Sequence, residues 1–242
     1  MEAAFKRVYD GRLWGTDGGG SGPGSSLEAS QPVSGLISHL VLTLNITSML
    51  DVPCGAMVWM PHVLNVIEKM RDIDGLDGRP AASVAGPPFR YVGADIVPDV
   101  ITANKQRFPT LSFVHADFTK STFPTAVGRF DLVHTRAVFY HLSSKSILAA
   151  LRNIKATNST WMLASTHNTK HNSDRKFFKM GGTQLLDEGG YRKVNLQLPP
   201  YNLPPPLFTM VDSGGGNAAA DHPPQLMGLW KLSDIIMPNP SA

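Results

Sequence analysis

The sequence predicts an α/β fold, built on a mostly parallel sheet that ends in an antiparallel hairpin. Three observations carry this reading. Five short apolar runs alternate with segments of helical period, the arrangement that places helices on both faces of a parallel sheet. Two further strand-like runs near the C-terminus have no helical segment between them, so they pair with each other. The 242 residues suit one domain with appendages better than two domains.

The elements follow in order. Residues 16–26, TDGGGSGPGSS, look like linker when taken alone. They lie, however, between Phe5, Tyr9 and Trp14 on one side and Leu36, Ile37, Leu40, Val41 and Leu44 on the other, segments that need to pack. The expectation is an N-terminal lid over residues 1–30, then a single domain over 31–242 that opens with a helix at 31–43. SMLDVPCG (48–55) reads as the first strand, stopped by Pro53 and Gly55, and apolar positions 59, 60, 63, 64, 67 and 70 form a helix. Residues 71–88 are turn-forming throughout and read as a surface insertion. FRYVGAD (89–95) is the second strand, and Pro98 suits the first turn of a helix reaching Arg107. LSFVHAD (111–117) and FDLVHT (130–135) are the third and fourth strands. A serine-capped helix over 143–154 leads to the fifth, TWMLAST (160–166). LFTMV (207–211) and MGLWKL (227–232), joined by a loop at 213–224, bring the strands to seven.

Composition narrows the function. With 42% apolar and 17% charged residues the chain is too apolar for wholesale disorder. A formal charge of +3 with no dense basic stripe disfavours a nucleic-acid binder. The single cysteine, Cys54, permits no intrachain disulfide and no cysteine-rich zinc site, which fits a reducing, cytoplasmic setting. Polar residues interrupt the longest apolar stretch, 35–50, so no membrane span is expected, and the first fifteen residues lack the apolar core of a secretory signal.

The strand ends carry the chemistry. In an open parallel sheet, ligands bind beyond the carboxyl ends of the strands where strand order reverses. Here those ends hold Asp51, Asp95 and Asp117, and buried acids need donors. A nucleoside supplies them: ribose hydroxyls for an acid after the second strand, an exocyclic amine for one after the third, and Gly55 for close backbone approach. Neither GxGxxG nor GxxxxGK[ST] is present, so phosphate binding is disfavoured. A nucleoside without phosphates remains, and S-adenosylmethionine is the common one with this arrangement.

At this point the sequence resembles the class I S-adenosylmethionine-dependent methyltransferases, in particular a group of small, mostly bacterial members. The blocks that carry the resemblance are WG with SGPGS (14–15, 21–25), LDVPCG with WM (50–55, 59–60), YVGADIV (91–97), FVHAD (113–117), FDLVHTRAVFYHLS (130–143), NLQLPPYNLPPPL (195–207) and MGLWKL (227–232). The resemblance implies a Rossmann-like seven-stranded sheet, the cofactor S-adenosylmethionine and no metal. It implies cofactor contacts from Trp14, Gly22, Ser25, Asp51, Pro53, Gly55, Asp95, Ile96, Asp117, Phe118 and Arg136. The acceptor would be a small molecule, with a protein or nucleic acid as alternatives. His141 is the candidate general base, needed only for a hydroxyl or protonated amine acceptor.

Two departures stand out. Relatives carry an acid where this chain has Ala56, and another where it has Ala137, so a diverged, non-catalytic cofactor-binding protein is a second reading. Several residues also have structural readings. Asp95 could cap the helix after it, Asp117 could serve a turn, Asp51 could cap the turn after the first strand, and His141 could simply pack. Cys54 reads as a small buried hydrophobe, and the basic segment 167–179 as a solvated loop. The proline-rich 199–206 reads as a rigid wall of the active site.

Overall fold

A computed structural model of the chain describes residues 1–72, 88–177, 183–185, 188–212 and 224–238. The expected surface insertion (71–88) and hairpin loop (213–224) fall almost wholly outside these residues, as do the last two residues of the basic segment. Six helices and nine strands are described. The helices are α1 (Glu2–Asp10), α2 (Gln31–Thr43), α3 (Met60–Asp72), α4 (Pro98–Arg107), α5 (Phe123–Val127) and α6 (Ser144–Ala156). The strands are β1 (Ser48–Asp51), β2 (Arg90–Asp95), β3 (Ser112–His115), β4 (Leu132–Thr135), β5 (Trp161–His167), β6 (Arg175–Phe177), β7 (Thr183–Leu185), β8 (Phe208–Asp212) and β9 (Gln225–Lys231).

Seven strands form one sheet in the order β3-β2-β1-β4-β5-β9-β8. β1 to β5 run parallel, while β9 is antiparallel to both β5 and β8. The expected α/β fold with its antiparallel end is therefore observed. Alternation sorts the sheet's side chains onto two faces. Leu50, Val133 and Met162 enter the cluster that contains Ile147, Leu151 and Ile154 of α6. Met49, Leu132 and Leu163 enter the cluster built with Val33 and Ile37 of α2 and Met60, Val63 and Ile67 of α3. Both faces are covered, which is why the strands read as continuous apolar runs. Among the described residues no helix is long and apolar enough to cross a membrane.

Three pieces were not legible in advance. α1 is nine residues long with no side-chain cap, too short to signal itself, and forms because Phe5 and Val8 are buried. Phe5 joins the same cluster as Leu50 and Val133, so the start of the chain belongs to the core it covers. α5 is a five-residue turn of helix behind Pro124. The segment expected as a solvated loop instead contains β6, paired antiparallel with β7. Before it, Asp174 accepts from the backbone N–H and hydroxyl of Ser144 at 3.0 and 2.8 Å at the start of α6.

Candidate functional site

Strand order reverses between β1 and β4, and a cleft lies beyond their carboxyl ends. It is open to solvent and lined by residues from the first four strand ends and from the N-terminal segment. The floor is the loop after β1, from Asp51 to Gly55. Ile96, Ala116 and Phe118 form an apolar wall on the β2–β3 side. Trp59, His134, Arg136 and Ala137 stand on the β4 side, with Met1, Phe5, Tyr9, Trp14, Ser21 and Ser25 above.

Gly55 has a positive φ of 55°, and a Cβ on it would lie 2.7 Å from Ser21 Oγ, so glycine is required on both counts. Ser21 fastens the lid to this loop. Its Oγ accepts from the Ala56 N–H at 3.0 Å and lies 2.8 Å from the Tyr9 hydroxyl. The opposite side of the Gly55 peptide is held by Asn104 of α4, whose Nδ2 donates to the Gly55 carbonyl at 2.8 Å. The glycine-rich 16–26 stretch is thus seated on the β1 loop. Its two short 3₁₀ turns, Asp17–Gly20 and Pro23–Ser25, include Gly18 and Gly19 at positive φ.

Asp95 ends β2 and is only 3% exposed. Its Oδ2 accepts from the Gly55 N–H at 3.0 Å and its Oδ1 from the Val97 N–H at 2.9 Å. The helix-cap reading is not realised, since α4 has Val97 at its N-cap with no side-chain cap bond. The Asp95–Val97 contact is a local turn ahead of the helix, and the same carboxylate still lines the cleft with lone pairs to spare. Burial raises its carboxyl to about 6, against the pull of those N–H donors.

Asp51 is tied into the protein. His134 Nδ1–H donates to its Oδ1 at 2.7 Å, and the Tyr91 hydroxyl donates to its Oδ2 at 2.9 Å. It does not cap the following turn. Arg136 is likewise committed. Its Nε and Nη2 donate to the two oxygens of Asp212 at 2.7 and 2.9 Å, its Nη1 donates to the Gly24 carbonyl at 2.7 Å, and its Nη2 reaches the Ala29 carbonyl at 3.3 Å. This arginine lines the cleft while clasping the lid to β8.

Trp14, Ser25, Pro53, Ile96 and Phe118 line the cleft as expected, Phe118 lying parallel to Phe139 at 6.2 Å. Three expected residues do not. Asp117 turns back on its own chain, its Oδ1 accepting from the Thr119 N–H at 2.9 Å and from the Thr119 hydroxyl at 2.6 Å, the turn reading. Gly22 is buried beneath Trp14. His141 sits behind Trp14, stacked on it at 4.3 Å, with Nδ1–H donating to the Gly190 carbonyl at 2.6 Å. Burial lowers its imidazole to about 4, so at neutral pH it is an uncharged ring and a weak base. The proline-rich wall is also corrected. Tyr201 and Leu203 are buried in the core, and Pro204 accepts from Trp230 Nε1 at 2.8 Å, so the segment packs against the sheet without lining the cleft.

Sequence reasoning did not name His134, Trp59, Ser21 and Tyr9 as cleft residues. Ser21, Trp59 and His134 had a signal, since they lie within the blocks at 21–25, 59–60 and 130–143, whereas Tyr9 showed only as an aromatic before the glycine-rich stretch. Ala137, singled out because it replaces an acid, lines the cleft as well. Ala137 has a φ of +59°, a left-handed conformation that a Cβ disfavours by about 1–2 kcal/mol. Ala137→Gly is accordingly expected to raise stability by about 0.5–1 kcal/mol, read by urea denaturation, and an equal or lower midpoint would contradict the strain.

Comparisons with known proteins bear on the fold. Residues 73–158 match the family described as "Methyltransferase domain". The chain is similar to Burkholderia thailandensis 1,6-didemethyltoxoflavin-N1-methyltransferase, a structure with bound 1,6-didemethyltoxoflavin and S-adenosylhomocysteine. The identity is 13% and the TM-score 0.56, over 95% of this chain and 86% of that one. It is also similar to the methyltransferase domain of bacterial CtHen1-CN, at 14% identity and a TM-score of 0.50, over 84% of this chain and 99% of that one. The fold is therefore the Rossmann-like fold of the class I methyltransferases. No curated protein matches the sequence.

Proposed function

We propose that this protein is an S-adenosylmethionine-dependent methyltransferase acting on a small-molecule acceptor. The observation that carries this reading is the cleft at the β1/β4 switch point, where a buried acid ends β2 beside a glycine that a side chain could not replace. The cleft fits the cofactor. Asp95 holds the ribose hydroxyls, Ile96, Ala116 and Phe118 give the adenine an apolar slot, and Gly55 lets the backbone approach. S-adenosylmethionine supplies an activated methyl group on a sulfonium, so the protein's task is positioning and exclusion of water. Trp14, Tyr9 and Ser21 close the lid over the site, and Arg136 holds it down through the carbonyls of Gly24 and Ala29. The seated lid favours an enclosed small molecule over a macromolecule.

Calorimetric titration with S-adenosylmethionine and S-adenosylhomocysteine tests the cofactor. Absence of binding at millimolar ligand overturns the proposal. The non-catalytic reading rests on Ala137 in the cleft and on Ala56 beside the Gly55 loop, two positions without the acid that relatives carry. Binding that tightens in Ala56→Asp with Ala137→Asp, with no methylated product in a small-molecule screen, would favour that second reading.

A further inference from the structure

His134 combines three properties that the function proposed above leaves unused. It lines the cleft on β4, it is 1% exposed, and its Nε2 has no hydrogen-bond partner among the described residues. A buried polar atom left unmade is costly, and native structures rarely keep one without a purpose. Its other nitrogen is fixed, because Nδ1–H donates to Asp51 Oδ1 at 2.7 Å. The proton is thereby held on Nδ1, which leaves Nε2 as a lone-pair acceptor. Trp59 packs edge-on against the ring at 5.8 Å and the Tyr91 hydroxyl occupies Asp51 Oδ2, so neither the ring nor the carboxylate is free to turn away.

The sheet order says which part of a ligand reaches this atom. Reading across β3-β2-β1-β4, the cleft presents Phe118 after β3, Asp95 at β2, Gly55 after β1 and His134 on β4. A nucleoside with its base on Phe118 and its ribose on Asp95 lays its remaining substituent across β1 towards β4. In the proposed cofactor that substituent is the methionine moiety, whose ammonium donates hydrogen bonds. An imidazole with its proton held on Nδ1 by a carboxylate presents both a lone pair and a negative potential to such a group.

We propose that His134 Nε2 accepts a hydrogen bond from the cofactor's methionine ammonium, and that Asp51 is the positioning residue that fixes the ring for this contact. The inference rests on the cofactor reading above. It also revises the role of Asp51, which serves the ligand through His134.

The test compares two ligands that share the nucleoside and differ in the amino-acid end, S-adenosylhomocysteine and 5′-methylthioadenosine. His134→Phe keeps the ring volume and removes the lone pair. It is expected to weaken S-adenosylhomocysteine by about ten- to a hundredfold, the loss of one charged hydrogen bond, with 5′-methylthioadenosine unchanged within about twofold. Asp51→Asn is expected to show the same split more weakly. Should the phenylalanine variant not fold, the wild-type protein labelled with ¹⁵N-histidine answers the same question. The His134 Nε2 resonance moves on adding S-adenosylhomocysteine and stays in place with 5′-methylthioadenosine. Equal weakening of both ligands, weakening of neither, or an Nε2 signal indifferent to S-adenosylhomocysteine overturns the assignment. A wild-type protein that binds neither ligand overturns the cofactor reading itself.

Discussion

Arg136→Met is expected to destabilise the protein by about 3–5 kcal/mol, the usual cost of breaking a buried ion pair by removing one partner. For a chain of this size that corresponds to a fall in Tm of roughly 6–20 °C. The guanidinium and the Asp212 carboxylate are both almost wholly buried, their side chains 4% and 0% exposed, and they meet through two parallel hydrogen bonds. Methionine preserves the packing of the stem but removes the Arg136 guanidinium from the buried carboxylate, to which Gln225 Nε2 also donates at 2.8 Å. The lid loses its anchors at Gly24 and Ala29 at the same time, so limited proteolysis should cut within residues 11–30 faster in the variant. Adding Asp212→Leu should recover much of the stability, because two apolar side chains can replace a buried pair at little cost. The lid anchors would stay lost, and proteolysis would stay fast. A single-variant loss below about 1 kcal/mol would contradict the clasp.

Asp95 is expected to make cofactor affinity depend on pH. Its carboxyl sits at about 6 in the folded protein against an ordinary 3.8, because burial outweighs the donors from Gly55 and Val97. Ribose hydroxyls donate to the ionised form, so affinity for S-adenosylhomocysteine should be flat above pH 6 and weaken on acidification through it, approaching about tenfold per pH unit. Asp95→Ala should weaken binding about a hundredfold or more at neutral pH, the loss of two hydrogen bonds to a charged group. It should also flatten the pH profile. An alanine variant within about fivefold of wild type, or a wild-type profile flat down to pH 5, would remove Asp95 from the site.

Stability has a different pH dependence with opposing parts. A carboxyl raised on folding contributes stability that is full below 3.8 and lost as pH rises through about 6, about 3 kcal/mol for Asp95. His141 and His167 are both lowered by burial to about 4, and their contribution is present above 6.5 and lost as pH falls through about 4. The two effects cross the same window with opposite sign. The difference between wild type and Asp95→Ala, rather than the wild-type curve alone, therefore isolates the carboxyl.

Much of this protein was legible in the order of its residues. Helical spacing placed α2 at Gln31–Thr43 and α4 at Pro98–Arg107, and the short apolar runs placed all seven strands of the main sheet. These signals are local, because period and turn chemistry act over a few residues. Asp95 and Gly55 were likewise readable, since a strand end fixes where an acid or a glycine lies. What a side chain does after the strand end is decided by its neighbours in space. Asp51 is claimed by His134, 83 residues away, and by Tyr91, 40 residues away. Arg136 is claimed by Asp212 and by Gly24, 76 and 112 residues away. Asp117 and His141 carried plausible chemistry in sequence, yet the fold turned the first onto Thr119 and put the second behind Trp14. Such pairings depend on which strands lie adjacent and which loops cross above them, so the sequence alone determined the sheet and its line of acids. Tertiary structure decided which groups are bound to one another and which, like His134 Nε2, are left for a ligand.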